Sequence, residues 1–584
     1  MNLYRISILN LKRIFNFKTL VVLFMITIAF FVYVHQHSDI IDVSSKKRTF
    51  IEFDNLQRVK NSVPTSSESS SGEVQACIHP KLSINDPVMV KFYKKMPIIS
   101  CRTVPNWVYV ENGTIRFSGD AKKIYGKFEC DYFPLIRGPG DYNVSYGNPI
   151  NNITEHGRLV SDFFKIKCHN SRKSKYESIH AGIHINETIK ERFRTTKPPA
   201  NGLGLSIAFI GFDSMSRMSW LRRMPITREY MVNELKAIEL EGYNILGDGT
   251  PAALFPILTG KHEQELPEAR RKFKGAKPVD DFPWLWKTFA KNGYVTSWAD
   301  AEVGIAPFNY RLLGFEHSPT DYFMRPYFLA LAPYIRTYRA NCQGSEPKHM
   351  VWFNWMKDIF HMYKNDPKFM VHFYTPLSHD DNNKITAADQ DLKNFIAYLE
   401  KGGFLNNTLL VVMADHGARF DIVRKTLSGK LEERMPYVSL RFPPWFERKY
   451  PHLIRNLRTN INRLTTPFDL HETFKDFLKF DGAGIGDIKN RGISLFKEIP
   501  KTRTCADANV APHWCACLVW KTVSLTDPYA RQALQTALET LNSFTEPYRT
   551  DCALLSTGNV TMVTKEYVRE EVLKFRRTIG GRGL

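Results

Sequence analysis

The middle of the chain predicts an α/β fold: a mixed, mostly parallel sheet with helices on both faces. Three observations carry this. Between about residues 202 and 499, short apolar runs alternate with helical stretches. The runs are continuously hydrophobic rather than alternating, as strands buried on both faces are. Several end in polar or glycine-bearing loops, and in open α/β sheets ligands collect at the carboxyl ends of strands.

In chain order, the predicted strands are 205–210, 294–298, 369–374 and 409–413. The predicted helices are 231–238, 284–291, 388–399 and 470–478, and the sequence TTPFD at 465–469 supplies a helix start for the last. Ahead of this domain (199–500) lies a cysteine-containing, β-rich module at 75–198. Its clearest hairpin is 107–111 and 114–117 across the Asn112-Gly113 turn. A cysteine-containing region, 501–584, follows and holds a helical stretch at 529–544.

With 584 residues the chain has room for two or three domains, and its 43% hydrophobic and 13% aromatic content is that of a folded protein. A formal net charge of +21 favours anionic partners: phosphate or sulfate esters, acidic glycans or lipid headgroups. Nucleic acid is excluded as a partner, because there is no zinc-finger spacing, aromatic RNA-binding signature or basic helix.

The compartment follows from the N-terminus. Residues 1–18 carry Arg5, Lys12, Arg13 and Lys18, and 19–36 hold an uncharged apolar run. Basic residues ahead of such a run place the N-terminus in the cytosol, giving a single-pass type II membrane anchor. The ectodomain then lies in the secretory lumen or outside the cell, beyond a Ser-rich stem at 37–74. A cleaved signal peptide, giving a secreted form, is the alternative, but His35-Gln36-His37 are not the small residues a peptidase prefers. N-glycosylation sequons at Asn112, Asn143, Asn152, Asn186, Asn406 and Asn559 agree with that side of the membrane. Nine cysteines fall into Cys77, Cys101, Cys130 and Cys168, then Cys342 alone, then Cys505, Cys515, Cys517 and Cys552. Disulfides are expected in that compartment, with the odd cysteine free or intermolecular.

Four loops in the central domain offer chemistry. Asp213 follows the first strand, and Asp415-His416-Gly417 follows the strand 409–413. His379-Asp380-Asp381 follows 369–374. A glycine-flanked loop at 247–250 delivers Thr250 to the start of a helix ending near Gly260. Each has a bland reading: Asp213 as a helix cap, Thr250 as an N-cap before Pro251, Asp415-His416 as a hydrogen-bonded turn, and His379 in a solvated loop. Jointly, acids, a hydroxyl and an imidazole from separate strand ends form a ligand set suited to zinc or manganese.

The segments GFDSMSR, GTPAALFPILTG, LSHDDNN and ADHG, in this order, resemble the alkaline phosphatase-like/sulfatase-like superfamily, and within it an uncharacterised group of membrane-anchored or secreted animal proteins. The resemblance implies an alkaline phosphatase-like sheet and a single divalent ion, zinc or manganese first and calcium next. It implies that Asp213, Asp415 and His416 are metal ligands, that Thr250 is both nucleophile and ligand, and that His379 contacts a second metal or the substrate. Two departures qualify it. There is no C/S-x-P-S-R box, so the formylglycine mechanism of sulfatases is not expected. Thr375 stands where two-metal members have an aspartate, so a full second site is not expected either. Arg217, Lys430 and Arg434 are candidate cations for the ester oxygens. The resulting expectation is a membrane-anchored metal-dependent hydrolase or transferase of phosphoesters, sulfate esters ranking second, on a glycan, lipid headgroup or small molecule. The alternative is an inactive, sulfatase-like binding or adhesion glycoprotein.

Overall fold

Seven strands form the central sheet of the computed structural model, which describes residues 75–101, 104–334, 340–420, 422–558, 560 and 562–574. The expected membrane span at 19–36, the stem and Asn559 lie outside the described residues. Among those described, no helix is long and apolar enough to cross a membrane.

The chain first builds a hairpin of β1 (Val108–Glu111) and β2 (Thr114–Phe117). Next comes an antiparallel sheet of β3 (Phe128–Arg137), β4 (Val144–Tyr146), β5 (Phe163–Asn170) and β6 (Lys175–Ala181), in the order β4-β3-β5-β6. Trp107 packs against Tyr125, Phe128 and Tyr176 to form its small core. Cys130 and Cys168 are directly opposed in the β3–β5 ladder and form a disulfide.

The central strands are β7 (Ser206–Phe212), β8 (Ile238–Glu239), β9 (Val295–Asp300), β10 (Tyr322–Phe323), then, past the short hairpin of β11 (Cys342–Gln343) and β12 (Glu346–Pro347), β13 (Lys368–Tyr374), β14 (Thr408–Ala414) and β15 (Val438–Arg441). Their order is β10-β9-β13-β7-β14-β15-β8. Neighbours from β10 to β14 run parallel, while β15 is antiparallel to both β14 and β8. Every residue of β7, β13 and β14 is buried, which is why their sequences show no alternation.

Side chains of β7 divide between two cores. Ala208, Ile210 and Phe212 face α1 (Arg217–Arg223), α4 (Lys348–Met362) and α5 (Asp389–Lys401). Ile207 and Phe209 face α2 (Thr250–Thr259), α3 (Leu285–Lys291) and α7 (Pro467–Lys475). The capping box of Thr466 and Asp469 starts α7 where TTPFD predicts it. Between β14 and β15 the chain forms α6 (Leu427–Arg434).

One predicted helix is not one. At 231–238 the structure has a π-helical turn, Tyr230–Glu234, and then β8. Lys236 at φ 57° breaks the helix, and pairing with β15 takes Ile238 and Glu239 into the sheet edge. Short strands at or next to the sheet edges, such as β8, β10 and β15, carry little periodic signal, and tertiary pairing decides them.

Two disulfides join different sequence groups, Cys77–Cys517 and Cys101–Cys342, and two lie within a group, Cys130–Cys168 and Cys505–Cys515, leaving Cys552 free. The C-terminal region holds β16 (Val519–Val523), α8 (Pro528–Thr545) and β17 (Val563–Tyr567), with β16 and β17 antiparallel. Asn143, Asn152, Asn186 and Asn406 are exposed and Asn112 half-buried.

Burial pushes four acids remote from the sheet's carboxyl edge or beside it, Asp162, Asp300, Glu346 and Asp358, up to about 7. The folded state therefore holds protons there that the unfolded chain releases near the ordinary carboxylate value. Their contribution is fully present at low pH and is lost as pH rises through about 7. The expected result is a melting temperature that falls as pH rises from about 4 to about 7 and levels off above that, read by a thermal-shift series.

Candidate functional site

Strand register assembles the site. Phe212 of β7 is beside Tyr374 of β13 on one side and Ala414 of β14 on the other. One residue later Asp213, Thr375 and Asp415 leave the sheet abreast. Asp213, Asp415 and His416 each bring one ligand atom within 4.8 Å of the others. All three are nearly inaccessible to solvent.

His416 Nδ1 is 2.7 Å from the Gly417 carbonyl oxygen, so the ring proton is donated there and Nε2 is left with its lone pair. That Nε2 lies 3.2 Å from Asp415 Oδ2 and 3.8 Å from Asp213 Oδ1. Asp415 Oδ1 accepts the Ser214 and His416 backbone N–H groups at 2.9 and 2.8 Å. Its Oδ2 is buried with no hydrogen bond. Asp213 Oδ1 accepts the Ser214 hydroxyl at 2.8 Å. Ser214 has φ 63°, a left-handed conformation costly for a side-chain-bearing residue, and Asn382 Nδ2 holds it by donating to its carbonyl at 2.9 Å. Gly417 serves close approach, since a Cβ there would lie 2.5 Å from the Glu432 carbonyl oxygen.

Burial, and then the charge of Asp415, push the Asp213 carboxyl well above its ordinary value. Burial holds His416 below its ordinary value and so neutral. Two buried acids facing one another, an orphaned carboxylate oxygen and a bare imidazole nitrogen form one donor set. A divalent metal fits them.

Thr250 arrives from the other side. Gly249 is the N-cap of α2, at φ 82°, and Thr250 takes the first helical position with Pro251 after it. The sequence places Thr250 at the cap; the structure moves the cap one residue back, so no side-chain cap bond is made and the threonine hydroxyl is not committed to one. Thr250 and Asp213 line the same cavity, of about 1170 Å³, together with Asp248, His379 and Arg419. His379 Nδ1 is 2.6 Å from Asp380 Oδ1, and its ring lies 4.7 Å from that of Phe420. Asp381 instead caps the turn after it, accepting the Asn383 N–H.

The three cations proposed from sequence do not line this cavity. Arg217 pairs with Glu241 at 2.6 Å. Lys430 donates to the Leu573 carbonyl at 2.8 Å. Arg434 is buried and donates to the carbonyls of His513 and Lys430. α6 turns these two toward the C-terminal region, whose carbonyls take up their donors. A cation that does line the cavity, beside Thr250, is Arg419. It pairs with Asp248 at 3.3 Å, and a Cβ at Gly249 would collide with its guanidinium at 2.0 Å. Only glycine allows that approach, next to Thr250. The signal in the sequence is the arginine three residues after His416, in the continuation ADHGAR.

No curated protein matches the chain. Among solved structures it is similar to lipooligosaccharide phosphoethanolamine transferase A of Neisseria meningitidis, at 13% identity over 48% of this chain and 56% of that one, with a TM-score of 0.34. The lipoteichoic acid synthase LtaP of Listeria monocytogenes matches at 12% identity over 63% of this chain and 99% of that one, TM-score 0.34. A protein of Vibrio parahaemolyticus matches at 12% identity over 58% and 82%, TM-score 0.33, and is itself a member of the alkaline phosphatase superfamily, which the sequence motifs resemble. A family model described as "protein of unknown function (DUF229)" matches residues 94–561. The chain belongs to the DUF229 family.

Proposed function

We propose that the chain is an alkaline phosphatase-like ectoenzyme that cleaves or transfers a phosphoester through Thr250, with sulfate esters second. The observation that carries this reading is the buried set Asp213, Asp415 and His416 at the edge of a cavity that also presents the Thr250 hydroxyl. These three and Thr250 would hold one divalent ion, zinc or manganese, which when bound lowers the hydroxyl pKa and screens the ester's charge. Thr375 offers a hydroxyl where a second metal would need a carboxylate, which supports a single ion.

The chain's own residues divide the remaining work. Thr250 sits at the start of α2, where backbone N–H groups face an anionic ester. Arg419 brings a guanidinium against Gly249, close enough to hold an ester oxygen. His379, in the cavity wall with its Nδ1 held by Asp380, contacts substrate and can pass a proton to the leaving oxygen from Nε2. Hydrolysis returns Thr250 with water as acceptor, and transfer returns it with an alcohol.

Membrane anchoring by residues 19–36 and glycan attachment at the sequons belong to the same reading: the ester would be met outside the cytosol. Metal content of the purified protein, with turnover of p-nitrophenyl mono- and diesters of phosphate and of p-nitrophenyl sulfate, tests it. The expected result is one equivalent of metal and turnover of a phosphoester. Neither metal nor turnover of any of these esters would leave a binding glycoprotein instead.

A further inference from the structure

The cavity that holds Thr250 is larger than a phosphoryl group needs. Its volume, about 1170 Å³, exceeds the ~300–1,000 Å³ of pockets that enclose a whole small molecule. The C-terminal region builds one wall of it, with Trp514 and much of the loop closed by the Cys505–Cys515 disulfide. That loop is fixed to the segments on either side of α2. Ahead of the helix, Asn244 donates from Nδ2 to the Trp514 carbonyl and accepts the Ala516 N–H on Oδ1, both at 2.8 Å. Beyond it, His262 Nε2 lies 2.8 Å from Asn509 Oδ1.

Charge around the cavity is balanced almost everywhere. Apart from Asp213 of the ligand set, each carboxylate in its wall has a partner: Asp248 with Arg419 at 3.3 Å, Glu263 with Arg311 at 2.7 Å and Asp380 with His379 at 2.6 Å. Arg424, also in the wall, pairs with Glu433 at 2.9 Å. Arg569 lines the same cavity and has no carboxylate partner among the described residues. Its Nε donates to the Cys517 carbonyl at 3.3 Å, and its two terminal nitrogens are left without an acceptor there. Strand register sets its place. β16 and β17 pair Val519 with Tyr567, so two residues further on Arg569 stands across from Cys517, which is tied to Cys77. The residues after it are held too: the Glu571 carbonyl is 2.6 Å from His513 Nδ1, and the Leu573 carbonyl accepts from Lys430 at 2.8 Å.

We propose that Arg569 forms a second anion-recognising subsite, and that the phosphoester therefore carries another anionic group, a carboxylate or a second phosphate, on its organic part. The subsite rests on the reaction proposed above. Arg419 and the start of α2 serve the reacting group, and Arg569 belongs to a different segment with its donors still to be filled. A planar guanidinium takes either anion through two parallel N–H bonds. It touches a part of the substrate that does not react, and so sets which ester is bound.

Isothermal titration calorimetry of the purified full chain with two pairs of sugar phosphates tests this. Fructose 1,6-bisphosphate against fructose 6-phosphate reads a second phosphate, and 6-phosphogluconate against glucose 6-phosphate reads a carboxylate. The doubly substituted member of at least one pair is expected to bind about tenfold or more tightly, and Arg569→Ala to bring that ratio within about twofold of unity. Arg569→Lys should restore part of the ratio. Lys565→Ala, at an exposed residue of β17 outside the cavity wall, should leave it unchanged. An unchanged circular dichroism spectrum checks that each variant folds. No preference in either pair, or no binding of any of the four compounds, overturns the proposal, as does a preference that survives Arg569→Ala. Turnover of p-nitrophenyl phosphoesters by the same preparation keeps the two proposals apart. Turnover without a preference removes the subsite and leaves the reaction, whereas a preference lost in Arg569→Ala without turnover removes the reaction and leaves the subsite.

Discussion

Replacing Thr250 with alanine is expected to lower phosphoester turnover by on the order of 10⁴-fold while the protein keeps its fold and the three other candidate ligands, Asp213, Asp415 and His416. The reasoning is local. Thr250 is half-buried in the first position of α2, and its hydroxyl makes no cap bond, so its loss removes a reacting group without unmaking the helix. The cap belongs to Gly249, and the apolar side chains of α2 from Ala253 to Leu258 anchor the helix in the core. Thr250→Ser keeps a hydroxyl and is expected to stay within roughly tenfold, about 1.4 kcal/mol in the barrier. Steady-state kinetics with a p-nitrophenyl phosphoester, alongside elemental metal measurement, read both variants. Undiminished turnover in the alanine variant would remove Thr250 from the mechanism.

The second large effect is expected from removing the metal. Chelation should abolish turnover and also lower the melting temperature, because a ligand that binds only the folded state at a hundredfold excess over Kd adds about 2.7 kcal/mol of stability. Without a cation, Asp213 and Asp415 face each other with the Asp415 Oδ2 unpartnered, a costly arrangement in a buried site. Asp415→Asn removes one of those charges. It should bind metal much more weakly, lose turnover, and show a melting temperature that chelator no longer changes. Differential scanning calorimetry with and without chelator separates these outcomes. A melting temperature of the unmutated protein that is indifferent to chelator, with turnover intact, would mean that the cluster holds no ion.

Much of this protein is legible in its sequence because strands buried on both faces must be apolar throughout. The runs at 205–210, 294–298, 369–374 and 409–413 therefore stand out, and the structure places every strand end within two residues of them. The residues at their carboxyl ends are legible for the same reason. A buried strand that stops at Asp213 or at Asp415-His416 hands a polar group to a known edge of the sheet. Short strands such as β8 and β15 are two and four residues long, too short for periodicity, and the turn at Lys236 is visible only in the backbone.

The cations show the limit most clearly. Arg217, Lys430, Arg434 and Arg419 look alike in sequence, since a long flexible side chain can reach several directions from its backbone position. Which one meets the cavity depends on what accepts its protons. Glu241, the Leu573 carbonyl and the His513 carbonyl hold the first three elsewhere, and the space left by the missing side chain of Gly249 admits the fourth. Cysteine pairing is undetermined by sequence for a related reason: Cys77 and Cys517 are 440 residues apart, and only the folded chain brings them together. Sequence by itself thus determined the central strands and the acids and imidazole at their carboxyl ends, because burial constrains every residue of a central strand. The tertiary structure alone decided the arginine beside Thr250 and the disulfide partners, because each depends on contacts between segments distant in the chain.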